Sequence, residues 1–217
     1  MSRKQILGYN EKMKITEAEH PELMFRCFSL PACATCCPNA GKCKEGCYAK
    51  KGRMACPTAQ NAYYENYDMV VDGSLWKQLD AEITVLECKA EREHKQLRIR
   101  VHDSGDFFSV EYANRWMDVM RNHPDVVFYA YTKMVNMFKY DDVIDIANNF
   151  HYVFSYGGLE DEYIKDYDRK AIVISEDMDV PQGYVDGSHD DYYASEPSYE
   201  KIALYYHGPK SGRFTAY

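Results

Sequence analysis

The sequence predicts an α/β fold: an open, incomplete (β/α) barrel-like parallel sheet with a cysteine-rich loop after its first strand. Three observations carry this. Six short runs rich in β-branched and aromatic residues are separated by stretches with helical periodicity, the pattern of parallel βαβ units. The chain has 217 residues, read as a single domain over 1–217, too short with six strands for a closed eightfold barrel. Polar residues gather just after successive strands, where parallel α/β folds place their sites.

Taken in order, Leu23–Leu30 (LMFRCFSL) reads as a strand ended by Pro31, and the cysteine loop follows. Pro57–Val70 reads as a helix. Ser74 is placed to cap a longer one reaching about His94, with Leu75, Leu79, Ile83, Leu86 and Ala90 on one face. Leu97–His102 alternates as a strand, and Ser109 caps a helix over Val110–Asn122. Val126–Tyr131 is the next strand and Asp141–Asn149 a short helix. Tyr152–Tyr156, Ala171–Ser175 and Ile202–Tyr206 complete the strands. A doubly wound sheet is the alternative arrangement of these elements.

Composition narrows the function classes. The net charge of −8 is unevenly distributed. Residues 1–60 carry ten Lys/Arg against five Asp/Glu, while the remainder carries sixteen against twenty-nine. Such an acidic body lacks the extended basic face that duplex DNA binding needs. The basic group Lys42, Lys44, Lys50, Lys51 and Arg53 sits among the cysteines, either as a solvated loop or as compensation for an anionic cluster or ligand. No apolar run is long enough to cross a bilayer, and the N-terminus has no signal-peptide core, so a cytoplasmic protein is expected. The twenty tyrosines fit either half-buried positions or a polar cavity.

Seven of the eight cysteines fall between Cys27 and Cys56. Disulfide scaffolds are usually small secreted chains that spread their cysteines, so crowding on one loop points to metal. In Cys37-Pro-Asn-Ala-Gly-Lys-Cys43-Lys-Glu-Gly-Cys47-Tyr48, three thiolates lie close together on a loop that Gly41 and Gly46 let curl, a ligand set suited to a [4Fe–4S] cluster. Cys33, Cys36 and Cys56 are candidates for a fourth ligand. Tetrahedral zinc is the rival, although paired CxxC knuckles are absent, and structural free thiols are the third reading. Cys88 reads as a helix core residue.

The second motif is His102-Asp103-Ser104-Gly105-Asp106-Phe107-Phe108, in which Gly105 can admit a ligand to the backbone and the carboxylates can hold an ammonium or hydroxyl. An ordinary turn-forming loop is the alternative. Thr132-Lys133 and Gly157-Gly158 follow the next two strands, Glu176 and Asp177 the fifth, and His207 the last. A small-molecule cofactor or ligand would then meet His102, Ser104, Gly105, Asp106, Lys133 and Gly157. His189, Asp190 and Asp191 read as a surface loop.

At these residues the sequence resembles the phage family called gene product 88. The marks are Cys37-Pro…Cys43…Cys47-Tyr48-Ala49 with Gly52 shortly after, Ile99-Arg-Val-His102-Asp-Ser-Gly-Asp-Phe-Phe-Ser109, Trp116, Phe128-Tyr-Ala-Tyr-Thr-Lys133, Phe154-Ser-Tyr-Gly-Gly158 and Ile202-Ala-Leu-Tyr-Tyr-His-Gly208. That resemblance covers nearly the whole chain and implies a phage or prophage origin, and so an infected or lysogenic host; a zinc-stabilised factor that binds a host protein stays open beside the iron–sulfur readings. A more distant similarity is to radical S-adenosylmethionine enzymes, which also place three cluster cysteines after the first strand of a partial barrel. It implies S-adenosylmethionine as a ligand, with Ser104-Gly105-Asp106 where those enzymes hold the methionine amine. Their usual C-x3-C-x2-C spacing is C-x5-C-x3-C here.

Overall fold

The computed structural model describes residues 5–35, 39–140 and 144–206. Its elements run α1 (Glu11–Glu19), β1 (Leu23–Ser29), α2 (Cys43–Gly46), α3 (Pro57–Val71), α4 (Leu75–Arg92), β2 (Gln96–Ser104) and α5 (Val110–Asn122). Then come β3 (Val127–Thr132), α6 (Val135–Lys139), β4 (Phe150–Ser155), β5 (Lys170–Ile174), β6 (Val185–Asp186), α7 (Tyr192–Ser195) and β7 (Lys201–Tyr205).

The seven strands form one sheet in the order β1-β2-β3-β4-β5-β7-β6, and every pairing is parallel. The first five strands are laid down in one direction. Right-handed crossovers in one direction put their connections on the same face. The sheet therefore curls around its other face into an open half-barrel; a doubly wound sheet would require the order to reverse.

Alternation along each strand separates the two faces. Met24, Phe28, Leu97, Ile99, Val101, Phe128, Ala130, Phe150 and Phe154 meet the helices in the main core, which also holds Leu75, Leu79 and Ile83 of α4 and Trp116, Met117 and Met120 of α5. The inner face carries Leu23, Phe25, Cys27, Tyr129, Val153, Ala171 and Ile202, covered by Met13 of α1 and Ala194 of α7. α1, α7 and the two-residue β6 were not expected from the sequence. α1 has almost no apolar stripe and is held by Asn10, whose side chain accepts from the Met13 amide, and by buried Met13 and Thr16.

Three further expectations change. The helix expected over Asp141–Asn149 is absent from its described part, 144–149; a short helix forms earlier, at Val135–Lys139, and residues 141–143 lie outside the described residues. Ser74 makes no capping hydrogen bond, because it is already helical in backbone and its amide donates to the Asp72 carboxylate. Cys88 is exposed on α4, on the face opposite the buried stripe of Leu79, Ile83 and Ala90. Ser109 does cap α5, accepting from the Tyr112 amide.

β2 runs two residues further than expected and bulges. Phe28 pairs with Val101 but Ser29 pairs with Ser104, so His102 and Asp103 are extra residues, and His102 takes a left-handed φ of 67°. Gly105 follows at φ 93°. A Cβ there would sit 2.8 Å from both Leu30 Cβ and Thr35 Oγ1, so glycine at 105 lets the strand end lie against the start of the cysteine loop. Gly105→Ala should therefore destabilise the fold through left-handed strain of about 1–2 kcal/mol plus an overpacking cost of about 1–3 kcal/mol. Urea unfolding measures it, and a loss below about 0.5 kcal/mol, the size of an ordinary surface change, would contradict the close approach.

Candidate functional site

A cavity of about 420 Å³ opens over the inner face at the C-terminal ends of the central strands. One wall is the cysteine loop, with Ala40, Cys43, Gly46, Cys47, Tyr48 and Ala49. The opposite walls are the end of β2 (Arg100 and His102 to Asp106), Lys133 after β3, Ser155 on β4, and Val173, Leu204 and Tyr205 on β5 and β7. Its volume falls within the range of small-molecule sites, roughly 300–1,000 Å³.

The cysteine loop is docked by its backbone. A Cβ at Gly41 would lie 2.9 Å from the Gly157 carbonyl oxygen and from the Gly158 carbonyl carbon, so glycine permits the contact. The Cys43 amide donates to the Gly157 carbonyl at 3.1 Å, and the Leu159 amide to the Asn39 carbonyl at 3.0 Å. The hydroxyl of Tyr48 donates to the Asp103 carbonyl, fastening the far side. Gly157 thus supports the loop through its carbonyl while its amide donates to Asp161; it does not line the cavity.

Cys43 and Cys47 are one helical turn apart across α2, which brings both to the cavity. Cys47 also hydrogen-bonds with Cys33, itself in a left-handed backbone conformation at φ 61°. Burial pushes the Cys47 thiol up, and the sulfurs of Cys33 and Cys43 add to the shift. Three of the expected thiols therefore gather at one place. Cys56 is exposed ahead of α3 and outside the cavity, while Cys36 and Cys37 lie outside the described residues. Among the described residues no group of three or more His, Cys, Asp or Glu side chains has the geometry to hold a metal ion.

The second motif meets the cavity, but its side chains are largely committed to the protein. The His102 ring packs on Phe28, Phe107 and Trp116, with Nε2 2.8 Å from the Tyr112 hydroxyl. Burial, with a smaller contribution from Arg100, pulls its pKa down to about 3, so it is neutral at physiological pH. Asp106 accepts from the Phe107 amide at 2.8 Å, the Thr132 hydroxyl at 2.7 Å and the Lys133 amide at 2.9 Å. Its carboxylate organises the β3 exit, and no ligand ammonium is needed to satisfy it. Ser104 is buried, and among the described residues its hydroxyl has no hydrogen-bond partner.

Residues that the sequence reading did not single out complete the site. Arg100 projects inward from β2, its Nη1 3.2 Å from both Asp103 Oδ1 and Asp191 Oδ1. Lys12 reaches Asp191 at 3.3 Å and the Gly187 carbonyl at 2.7 Å, and the Asn10 side chain donates to Asp103 at 3.0 Å. Burial alone would raise the Asp191 carboxyl, but Lys12 and Arg100 outweigh it and hold it below its usual range. Asp191, expected on a surface loop, is fully buried; His189 beside it is exposed. Glu176 and Asp177 are also exposed and away from the cavity, and His207 lies outside the described residues. The alternation Leu97-Arg98-Ile99-Arg100-Val101 was the available signal: it puts both arginines on one face of a central strand, where buried cations need acidic partners.

Comparison with known proteins bears on the whole chain. Residues 3–212 match the family described as Gene product 88. The chain belongs to this family. Two curated phage relatives are similar over 105 residues: the Gene 88 protein of Mycobacterium phage L5, 33% identical, and that of Mycobacterium phage D29, 31% identical. Each match covers 45% of this chain and 43% or 42% of the relative's length, so it spans less than half of either protein. No solved structure matches. Among the described residues, no helix is long and apolar enough to cross a membrane.

Burial pushes the Asp106 carboxyl up to about 6, against its three hydrogen bonds. A carboxyl raised in the folded state takes up its proton there before the unfolded chain does. Its contribution to stability is therefore fully present below the unfolded value of 3.8 and is lost as pH rises through about 6. Asp106→Asn would present an amide donor to one of three donors and should cost about 1–3 kcal/mol. The stability gap between wild type and variant, from urea unfolding, should narrow between pH 4.5 and 7, each flanking the titration near 6 by about one unit or more. A gap that widens would contradict the assignment.

Proposed function

We propose that this protein is a phage iron–sulfur protein in which a [4Fe–4S] cluster forms one wall of a small-molecule cavity. Cys37, Cys43 and Cys47 are its ligands, leaving one iron open to the cavity. The observation that carries the reading is that the cavity is bounded on one side by Cys43 and Cys47 and on the other by the β2, β3 and β4 exits. The gathering of Cys33, Cys43 and Cys47 adds to it, since thiolates so placed repel one another unless a cation or protons intervene. Such a cluster would supply one-electron chemistry to whatever occupies the cavity. The ligand proposed for the open iron is S-adenosylmethionine, on the strength of the partial barrel with cysteines after its first strand.

The chain's own residues would then bind and shield. Tyr48, fixed to the Asp103 carbonyl, covers the loop beside Cys47. Asp106 holds the Lys133 backbone in place through its amide, and neutral His102 buttresses the β2 bulge without titrating at physiological pH. A second reading, a cluster with four cysteine ligands that transfers electrons or stabilises the fold, is favoured by the Cys33–Cys47 contact, because Cys33 is near enough to close the set. The same thiolates would also satisfy tetrahedral zinc.

Anaerobic purification followed by iron, sulfide and zinc analysis tests the proposal. The expected protein is brown, absorbs near roughly 400 nm through thiolate-to-iron charge transfer, and contains iron and sulfide. Cys43→Ala should lose the cluster, whereas Cys88→Ala, on the exposed face of α4, should keep it. Stoichiometric zinc without sulfide, or full iron content in Cys43→Ala, would refute it.

A further inference from the structure

We infer that the cavity takes an anionic ligand, a small molecule bearing a carboxylate or a phosphate, whose anionic group seats against the Lys133 ammonium. The inference rests on reading the cavity as a ligand site, as proposed above, but not on the identity of the metal.

The cavity is lined by three cations, Lys12, Arg100 and Lys133, and their partners differ. Arg100 is neutralised by Asp103 and Asp191, both within 3.2 Å, and Lys12 by Asp191. Lys133 is not neutralised in this way. Its Nζ donates to Ser155 Oγ at 2.8 Å and to the carbonyls of Ser155 and Tyr156 at 3.2 Å, all uncharged acceptors. Asp106 lies close enough for the Lys133 charge to help hold its carboxyl down, but its oxygens accept from the Phe107 and Lys133 amides and the Thr132 hydroxyl, and among the described residues it makes no ion pair with Nζ. Among the described residues no carboxylate oxygen is paired with this ammonium.

The arrangement fixes a charge without pairing it with a carboxylate oxygen. Ser155 at the end of β4 supplies two of the acceptors and Tyr156, just after the strand, the third, so the ammonium is positioned before any ligand arrives. Both carbonyl contacts lie at the long end of the N–H···O range, and an incoming anion can take over one of those donors at a shorter distance. The half-buried setting weakens solvent screening of the unpaired charge. Outside, Lys42, Lys44, Lys50 and Arg53 are exposed along the cysteine loop, with Glu45 the acid among them. In a chain of net charge −8 this local excess attracts anions to the wall of the cavity.

Calorimetric titration of the full chain with inorganic pyrophosphate and, separately, succinate tests the inference. Iron and sulfide measured on the same samples report the fate of the cluster independently. Wild type should bind at least one probe, more weakly as salt is raised; tighter pyrophosphate marks a phosphate ligand and tighter succinate a carboxylate ligand. Lys133→Met, which keeps the stem and removes the charge, should bind about ten- to a hundredfold more weakly, the loss of one charge-assisted hydrogen bond. Lys133→Arg should retain most of the affinity, and Lys77→Met on α4 all of it. Should Lys133→Met fail to fold, Ser155→Ala, which removes the shortest contact to Nζ, should still weaken binding. No binding of either probe to wild type, or equal binding by Lys133→Met and wild type, would overturn the inference. So would unchanged affinity in Ser155→Ala when it is the variant that folds.

Discussion

The inward-facing guanidinium of Arg100 is the constraint around which the inner half of the molecule is arranged. A charge on the concave face of a central strand must be matched, because an unpaired buried ion costs several kcal/mol. Asp103 matches it from the same strand, and Asp191 arrives from ninety-one residues away. Asp191 in turn binds Lys12, and Asp103 binds Asn10, the residue that caps α1. The ion group therefore draws α1 and the segment leading into α7 across the open side of the half-barrel. Arg98, one inward position earlier, does the same with Ser195 and Glu196. These contacts fill the lower part of the concave face and leave its upper part as the cavity.

A second set of constraints closes the cavity from above. The cysteine loop lies across the ends of β1, β2 and β4 because glycine at 41 and 105 removes the side chains that would hold it off. The Cys43 amide, donating to the Gly157 carbonyl, and the Tyr48 hydroxyl, donating to the Asp103 carbonyl, then fasten it. The β2 bulge contributes from the other side: its two extra residues send the His102 ring into the helix-side aromatic core and the Asp103 carboxylate toward Arg100. Strain at one residue thus serves both faces of the sheet. Arg100 and Asp106 build the walls, the thiols form one end, and Lys133 faces the cavity with its ammonium held by uncharged acceptors.

How much of this was legible in the sequence depends on the range of the interaction. The parallel strands and the helices Pro57–Val71, Leu75–Arg92 and Val110–Asn122 could be read because their periodicity is local and their apolar faces meet one core. α1 could not, since its stability comes from Asn10 and from packing on β1 rather than from an apolar stripe. The same holds at the site. Cys33, Cys43, Cys47, His102, Ser104, Gly105, Asp106 and Lys133 were picked out by their place after strands, and they do lie together. Their roles were harder to foresee: Gly105 accommodates Leu30 and Thr35, and Asp106 binds backbone amides. Asp191 was missed because a carboxylate in a polar loop has no local mark of the arginine it will meet across the fold.

The central claim is that the cysteine loop and the cavity are one site. Electron paramagnetic resonance of the anaerobically reconstituted and reduced protein tests it most directly, recorded before and after addition of S-adenosylmethionine. The account predicts the signal of a reduced [4Fe–4S] cluster, absent in Cys43→Ala, whose g values shift when the ligand enters the cavity beside it. A protein with no iron signal, or a cluster signal untouched by saturating ligand, would contradict the claim.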